Sequence, residues 1–404
     1  MSCGEVLEKA YGHKVSEFLG CRTAQYCLYC FDEMVPATAH TPGPAATCTE
    51  GQWCLVCNEE LKPALGHRVK NWINYKEPAL GIAGSKFGEC SLCVKIVYQD
   101  IAALYSDGLV YTLKSDGTYS VSGVGTCTDA WILLPSVHMG IPVTSIAANA
   151  FYSVSTLQEI TIPEGITSIG DRAFYLCRNL KEVTLPEEIN SIGDSAFYGC
   201  TSLVGISLPN GITSIGKQAF SGCSNLTEVV LPSGLEKVAD SMFENCNGLV
   251  HVTVPGGVTA IGDRVFYHCG QLKEVSLPDN VKTIGNYAFY CCNGLSQISL
   301  PAQLEDIGAY AFYRCTNLIS ITLPDATESI GESAFALCVG ISEVVFPESV
   351  KTIELNAFNG CRKLKYISFT GTTAQWALIS FGTGWCSDVS SEKAICSDGE
   401  AALA

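Results

Sequence analysis

The chain has 404 residues, of which 47% are hydrophobic and 16% are charged, and its formal net charge is −16. This apolar content excludes an intrinsically disordered chain, and the length is enough for two or three domains. The acidic balance, without any cluster of Lys and Arg, argues against a nucleic-acid partner, and no apolar run approaches the ~20 residues needed for membrane insertion.

The first 70 residues contain a cysteine and histidine repeat with a period of 27. A full module has the spacing C-x5-C-x2-C-x9-H and occurs twice, as Cys21, Cys27, Cys30, His40 and as Cys48, Cys54, Cys57, His67. The chain opens on the end of an earlier copy, with Cys3 and His13, and has no signal peptide at its start. We therefore expect a targeting segment to precede this sequence.

The composition of the modules favours a bound zinc ion. Three cysteines cannot all pair within one module, whereas three thiolates and one imidazole are the four tetrahedral ligands that zinc prefers. Two alternatives stay open beside the possibility of neither: a disulfide from Cys21 to Cys27 or Cys30, or a metal cluster of His13 with those three cysteines. The modules predict a domain over residues 1–75 with structural zinc as its cofactor.

A connecting region follows the modules. Residues 76–103 are interpreted as a degenerate module, with Cys90 and Cys93, and a linker. In residues 104–141, two apolar alternating stretches flank Ser115-Asp116-Gly117, which is a strong hairpin signal. We predict that residues 104–141 form an N-terminal cap with a hairpin.

A period of 23 residues then runs over residues 142–369 and defines ten coils, of which the first, from Pro142, is two residues shorter than the rest. Each coil can be written P-x-x-[VI]-x-x-I-G-x-x-A-F-x-x-C-x-x-L-x-x-[VI]-x-L, as in Pro186 to Leu208. The phenylalanines are Phe151, Phe174, Phe197, Phe220, Phe243, Phe266, Phe289, Phe312, Phe335 and Phe358. The cysteines three residues later are Cys177, Cys200, Cys223, Cys246, Cys269, Cys292, Cys315, Cys338 and Cys361, with Val154 in the first coil.

The two halves of a coil differ in periodicity. Residues before the proline alternate apolar and polar, as in Val183-Thr184-Leu185, which predicts a half-buried strand. The Ala-Phe-x-x-Cys stretch has apolar spacing that predicts a turn or two of helix. Glycines between the halves predict a tight bend with positive φ; they are Gly170, Gly193, Gly216, Gly262, Gly285, Gly308 and Gly331.

One coil cannot bury its own apolar face, whereas stacked coils bury it on one another and pair their strands. The predicted fold class is therefore a repeat solenoid, with a parallel β-sheet on one face and short helical turns on the other. The repeating cysteines are interpreted as filling one internal apolar slot, since Val154 stands in the same place. Residues 370–404 form a C-terminal cap and tail, in which a disulfide between Cys386 and Cys396 stays open.

The repeat strongly resembles the BspA-like class of bacterial leucine-rich repeats, which carries the same I-G-x-x-A-F-x-x-C core, and the resemblance covers about Pro142 to Phe369. It implies a leucine-rich-repeat array in a secreted or cell-surface protein that binds extracellular or host proteins. It also implies that a tryptophan of the tail covers the last coil. The cysteine-rich modules would then act as a spacer.

The function predicted from these features is binding without catalysis. The histidines lie in the modules or are scattered, and no catalytic motif stands in a credible context. The candidate ligand-binding surface is a column four residues before each proline position, with Glu159, Glu182, Glu228, His251, Glu274, Gln297, Glu343 and Tyr366. We predict an acidic stripe suited to a protein strand or a basic segment.

Two alternatives remain open for this surface. Its residues could be ordinary solvated strand positions on a structural stalk that has no ligand of its own. A row of tyrosines one residue after the phenylalanine could instead bind a partner or could pack between coils; its members are Tyr152, Tyr175, Tyr198, Tyr267, Tyr290 and Tyr313.

Overall fold

The computed structural model describes residues 69–76, 84–90, 96–101 and 105–403, and the chain divides into the units Met1–Tyr105 and Ser106–Ala404. In the first unit, an antiparallel meander is formed by β1 (Val69–Lys76), β2 (Gly84–Cys90) and β3 (Ile96–Ile101). The sequence repeat did not predict this sheet. The two full cysteine and histidine modules lie outside the described residues.

The second unit contains all further elements. Its first strands are β4 (Val110–Leu113), β5 (Tyr119–Gly123), β6 (Trp131–Leu133), β7 (Val137–His138) and β8 (Ile141–Ile146). The strands of the repeat are β9 (Glu159–Thr161), β10 (Ser168–Ile169), β11 (Glu182–Thr184), β12 (Ser191–Ile192), β13 (Ser214–Ile215), β14 (Glu228–Val230), β15 (Lys237–Val238), β16 (His251–Thr253), β17 (Ala260–Ile261), β18 (Glu274–Ser276), β19 (Thr283–Ile284), β20 (Asp306–Ile307), β21 (Ser320–Thr322), β22 (Ser329–Ile330), β23 (Glu343–Phe346), β24 (Thr352–Ile353) and β25 (Tyr366–Phe369). The closing elements are α1 (Thr373–Trp376), β26 (Ser380–Phe381), β27 (Lys393–Cys396) and β28 (Gly399–Ala402).

A coil has three sides, and most of these sides are hydrogen-bonded to the neighbouring coils. The long strand before the proline, such as β11, pairs in parallel with its equivalents and forms the long-strand column. The short strand after the proline, such as β12, forms the short-strand column. The stretch around the phenylalanine forms the turn column, in which Phe151 N donates to Ala173 O at 2.7 Å. The predicted parallel sheet is confirmed, and the short-strand column is a second one that the pattern did not predict.

The interior is filled by the residues that repeat in the sequence. The ten phenylalanines and the nine cysteines of the repeat are fully buried, with exposures of 0%. Successive phenylalanine rings stack face to face, with centroids 4.9 to 5.8 Å apart. This continuous column buries the apolar face that a single coil would leave exposed, and it confirms the solenoid.

The stack is longer than the ten coils that the phenylalanines mark, since it has about twelve turns. At the N-terminal end, β5 pairs in parallel with β8 and so adds a turn to the short-strand column. At the other end, β26 pairs with β24 and β27 pairs with β25. The predicted hairpin is present as β4 and β5. The sequence period missed the outer turns because they lack the phenylalanine and cysteine that define it.

The turn column differs from the helix that was predicted. The described Ala-Phe-x-x-Cys segments are consecutive hydrogen-bonded turns, for example Tyr152 N to Asn149 O and Val154 N to Phe151 O. Two residues in each coil, two before and two after the phenylalanine, have φ between 51° and 74°. A residue with positive φ cannot continue a right-handed helix, so the prediction of helical turns was wrong.

The bend glycines also differ from the prediction. None of the seven glycines between the halves of the coils has positive φ. A Cβ at Gly170 would lie 2.6 Å from the backbone nitrogen of Ala148, and one at Gly308 would lie 2.7 Å from that of Asn286. The expectation of a left-handed bend was therefore wrong. Glycine is favoured at these seven positions because the previous coil lies so close that an added side chain would require a shift.

The C-terminal cap covers the last phenylalanine with aromatic rings. Trp385 is 1% exposed and meets the Phe358 ring edge to face at a centroid distance of 6.3 Å. Trp376, at the end of α1, is 3% exposed and packs against Phe346 and Phe369. A tryptophan cover was implied by the family resemblance; the cap contains two.

Candidate binding face

The long-strand column presents one side chain of each strand to the solvent, and we call this surface the strand face. Its members stand four residues before the proline position, and the next residue of each strand points into the core. In β16, for example, the His251 side chain is 54% exposed whereas Val252 is 2% exposed. All eight predicted residues are exposed: Glu159, Glu182, Glu228, His251, Glu274, Gln297, Glu343 and Tyr366.

The structure brings these residues together in separate patches. Glu228, His251 and Glu274 stand opposite one another on β14, β16 and β18, and His251 Nδ1 lies 3.6 Å from Glu274 Oε2. Glu159 and Glu182 pair on β9 and β11, and Glu343 pairs with Tyr366 on β23 and β25. Gln297 is exposed but lies outside any strand. The predicted single stripe is therefore divided into three parts.

Two grooves mark the divisions, and sequence reasoning missed them. One lies between residues 181–185 and 204–207, and the other lies between residues 273–277 and 296–299. No backbone hydrogen bond joins residues 182–185 to 205–208, or residues 274–277 to 297–300. The strand-face position is Gly205 in the first groove and Gln297 in the second. Because the two grooves share no residue type at this position, the sequence does not indicate where they occur.

The recurring cysteines occupy the internal slot that was predicted, and they also carry a polar contact. Each Sγ donates to the carbonyl oxygen of the phenylalanine 26 residues earlier at 2.9 to 3.2 Å, as Cys246 does to Phe220. Burial raises the pKa of Cys177 to about 12, so its thiol stays protonated. The nine cysteines are therefore buried neutral donors, and Cys386 and Cys396 are likewise free thiols.

The tyrosines after the phenylalanines pack between adjacent coils. In each run of three, the rings stack with centroids 4.7 to 5.0 Å apart. Five of them are half-buried, and Tyr152 at the start of its run is 48% exposed. Stacking covers the ring faces and leaves mainly edges and hydroxyls for solvent, so this row is less suited to ligand stacking than its composition indicates.

The predicted zinc ligands cannot be placed, since Cys21, Cys27, Cys30, His40, Cys48, Cys54, Cys57 and His67 lie outside the described residues. Within the described part of the chain, no group of three or more His, Cys, Asp or Glu is arranged to hold a metal ion. Nor does that part contain a helix of the length and apolarity that a membrane span needs.

Comparison with known proteins identifies the repeat. A family model described as the BspA type leucine rich repeat region matches six copies over residues 144–273 and 259–382. The matched ranges cover more than half of the 404 residues. A search of curated proteins finds no match.

The chain is also similar to solved structures of leucine-rich repeat proteins. A leucine-rich repeat protein from Bacteroides ovatus is 24% identical, with a TM-score of 0.51 over 72% of this chain and 90% of its own. The T. pallidum leucine rich repeat protein is 31% identical over 46% of this chain and 88% of its own, with a TM-score of 0.45. A leucine rich cell surface protein from Faecalibacterium prausnitzii is 26% identical over 69% and 97%, with a TM-score of 0.41. With its matched repeats and its stacked coils, the chain belongs to the BspA-type leucine-rich repeat family.

Proposed function

We propose that this chain is a non-catalytic binding protein of the cell surface or the extracellular medium, and that it engages an extracellular or host protein through the strand face. One observation carries the proposal: Glu228, His251 and Glu274 stand in register on adjacent strands with their side chains exposed. A repeat scaffold builds such a surface from equivalent positions whose side chains are not needed for packing.

The chemistry of the strand face favours a basic, extended segment of the partner. Four of the five glutamates that were predicted there lie within the first two patches, where β9 pairs with β11 and β14 with β16 and β18. The positions two residues further on are small or short, as in Thr184, Thr253 and Ser276. A shallow acidic surface of this kind accepts a strand or loop that carries Lys or Arg, with electrostatic attraction in the encounter.

Binding is tested with the full chain immobilised and a panel of extracellular-matrix proteins passed over it. We expect saturable binding of at least one of them, with a loss of tenfold or more in affinity for Glu182→Lys combined with Glu228→Lys, since about 1.4 kcal/mol corresponds to each factor of ten. The control combines Glu187→Lys with Glu354→Lys, which changes the net charge equally at exposed residues outside the strand face.

A structural stalk without a ligand predicts the opposite result in this binding experiment. If the intact chain binds nothing saturably, or if the two charge-reversal pairs weaken binding equally, the strand face is not the binding surface. A stalk would then describe the chain better, with its solenoid serving only to hold another domain at a distance.

A further inference from the structure

One contact between coils departs from all the others of the short-strand column, and we call it the junction. It lies between residues 213–222 and residues 236–245. At the other described interfaces from β5 to β26, the residue in the glycine position donates its N–H to a carbonyl of the previous coil at 2.7 to 2.9 Å, as Gly216 does to Ile192. No such bond joins Ala239 to Ile215, and β13 does not pair with β15.

The residue in the glycine position gives one cause. Ala239 stands where seven coils have glycine. A Cβ at Gly216, one coil earlier, would lie 2.5 Å from the backbone nitrogen of Asp194, so an alanine there requires the coils to separate. A side chain at this position does not by itself remove the hydrogen bond between coils. Glu354 occupies the equivalent position, and its N–H still donates to the Ile330 carbonyl.

The residue type at position 217 is a second difference between the junction and the other interfaces. In neighbouring coils this position holds Asp or Asn, and Oδ1 accepts the backbone N–H of the next coil, as Asp194 does from Lys217 and Asp263 does from Asn286. Lysine cannot accept this bond. It forms instead an ion pair with Asp240, at 2.9 Å between Nζ and Oδ2, in which the lysine side chain is 66% exposed.

The ion pair is seen in the pKa values of both partners. The hydrogen bond to Asp240 raises the pKa of Lys217. Burial raises the pKa of Asp240, but the bond from Lys217, the charge of Lys237 and a backbone bond outweigh burial, so the net pKa is lowered. Because the pair is solvent-exposed, it is a weak replacement for a backbone hydrogen bond.

The phenylalanine column is most widely spaced around Phe243, on the C-terminal side of the junction. The Phe243 ring centroid is 5.7 Å from that of Phe220 and 5.8 Å from that of Phe266, whereas Phe289 and Phe312 are 4.9 Å apart. The residue before Phe243 is the buried Met242, where most coils have alanine. The turn column is intact, since Phe220 N donates to Met242 O at 3.0 Å.

We propose that the junction divides the array into two cooperative blocks, residues 106–227 and 228–403, which open independently and hinge along the turn column. No strand of the first block pairs with a strand of the second, because the sheets of β11 and β13 end there and those of β14 and β15 begin. In a repeat array, each coil is stabilised only by its neighbours, so one weak interface uncouples the coils on its two sides. The inference does not depend on the proposed function. It implies that the distance between the Glu182 and Glu228 parts of the strand face is adjustable.

The test is amide hydrogen exchange of the full chain in increasing denaturant, read at equivalent amides that all donate to the previous coil: Gly170, Gly193 and Gly216 before the junction, and Gly262, Gly285 and Gly308 after it. The slope of opening free energy against denaturant, the m-value, scales with the surface that opens together. In the wild type we expect a slope at Gly170 that corresponds to the first block alone. The repaired variant Lys217→Asn with Ala239→Gly should raise that slope roughly twofold, because the whole array then opens as one unit.

A reciprocal variant keeps the proposal falsifiable if the repaired chain folds poorly. Asp171→Lys with Gly193→Ala places the two junction residues two coils earlier, and it should lower the m-value at Gly170 while the amides after residue 228 keep theirs. A wild-type slope at Gly170 that already equals the slope for the whole array would overturn the proposal. So would a reciprocal variant that leaves the slope at Gly170 unchanged.

Discussion

The buried thiol of each coil is a hydrogen-bond donor as well as a packing group. The Phe220 carbonyl accepts from the Cys223 backbone at 3.1 Å and from the Cys246 thiol of the next coil at 3.1 Å. A buried carbonyl that lost the second partner would have one lone pair unsatisfied. Val154 is tolerated in the first coil because no regular coil precedes it, so no phenylalanine carbonyl stands there to be satisfied.

A pair of substitutions separates donation from packing. Threonine and valine have nearly the same shape and differ in the hydroxyl that could replace the thiol. We expect Cys246→Thr to be more stable than Cys246→Val by about 1 kcal/mol, the value of a typical buried hydrogen bond. The measurement is the urea midpoint of the full chain. If packing alone mattered, the order would reverse, since burying an unpaired hydroxyl is unfavourable.

At the residue scale, sequence reasoning predicted which positions are buried but not always why. Phe197, Cys200 and Leu203 are all fully buried as the period indicates. Gly193 was assigned to a left-handed bend, whereas its backbone is ordinary and its lack of a side chain admits the previous coil. A glycine requirement can come from φ or from close approach, and a single sequence does not distinguish the two.

At the scale of elements, the turn column shows where pattern and backbone diverge. Apolar spacing of one, three and four residues is typical of a helix. The same spacing arises here from consecutive turns with left-handed residues such as Arg172 and Leu176, whose N–H groups donate to Asp194 O and Tyr198 O of the next coil. These bonds between coils offset the unfavourable φ and depend on the stack, so local sequence could not predict them.

The C-terminal cap closes the end of the phenylalanine column. Trp385→Ala removes a nearly fully buried side chain. We expect it to destabilise the last coils by about 3 to 5 kcal/mol, because it leaves a cavity beside Phe358. Hydrogen exchange should then accelerate at the amides of β24 and β25 before those of β10. Trp131→Ala is the control, since Trp131 is 60% exposed, and equal destabilisation by the two changes would contradict a capping role for Trp385.

At the scale of the whole molecule, the composition of the modules in the first 70 residues leads to a prediction of the metal content of the chain. We propose that each of the two full modules holds one zinc ion through its three cysteines and one histidine. We expect about two zinc ions in each purified full chain, released by a chelator under denaturing conditions. Thiol titration in denaturant without reductant should then count all 22 cysteines. A count lower by an even number, with no zinc found, would favour the disulfide alternative.

The period predicted the stacked architecture of residues 142–369 but not its interruptions. Both grooves of the strand face and the junction are places where neighbouring coils lack the hydrogen bonds that join the others. At the junction the residues that depart are Ala239 and Lys217, which look like ordinary variation within the repeat. Such interruptions are seen only when the coils are placed against one another.

The uniform register has a consequence for inheritance. Within residues 142–369, every residue that is paired between two repeat strands has its partner 23 positions away, as Ser168 does with Ser191 and Glu159 with Glu182. Unequal recombination that inserts or removes one whole repeat unit in the DNA would therefore leave each ring, thiol and strand facing an equivalent partner. Lineages can lengthen or shorten this protein in single steps while both caps are kept unchanged.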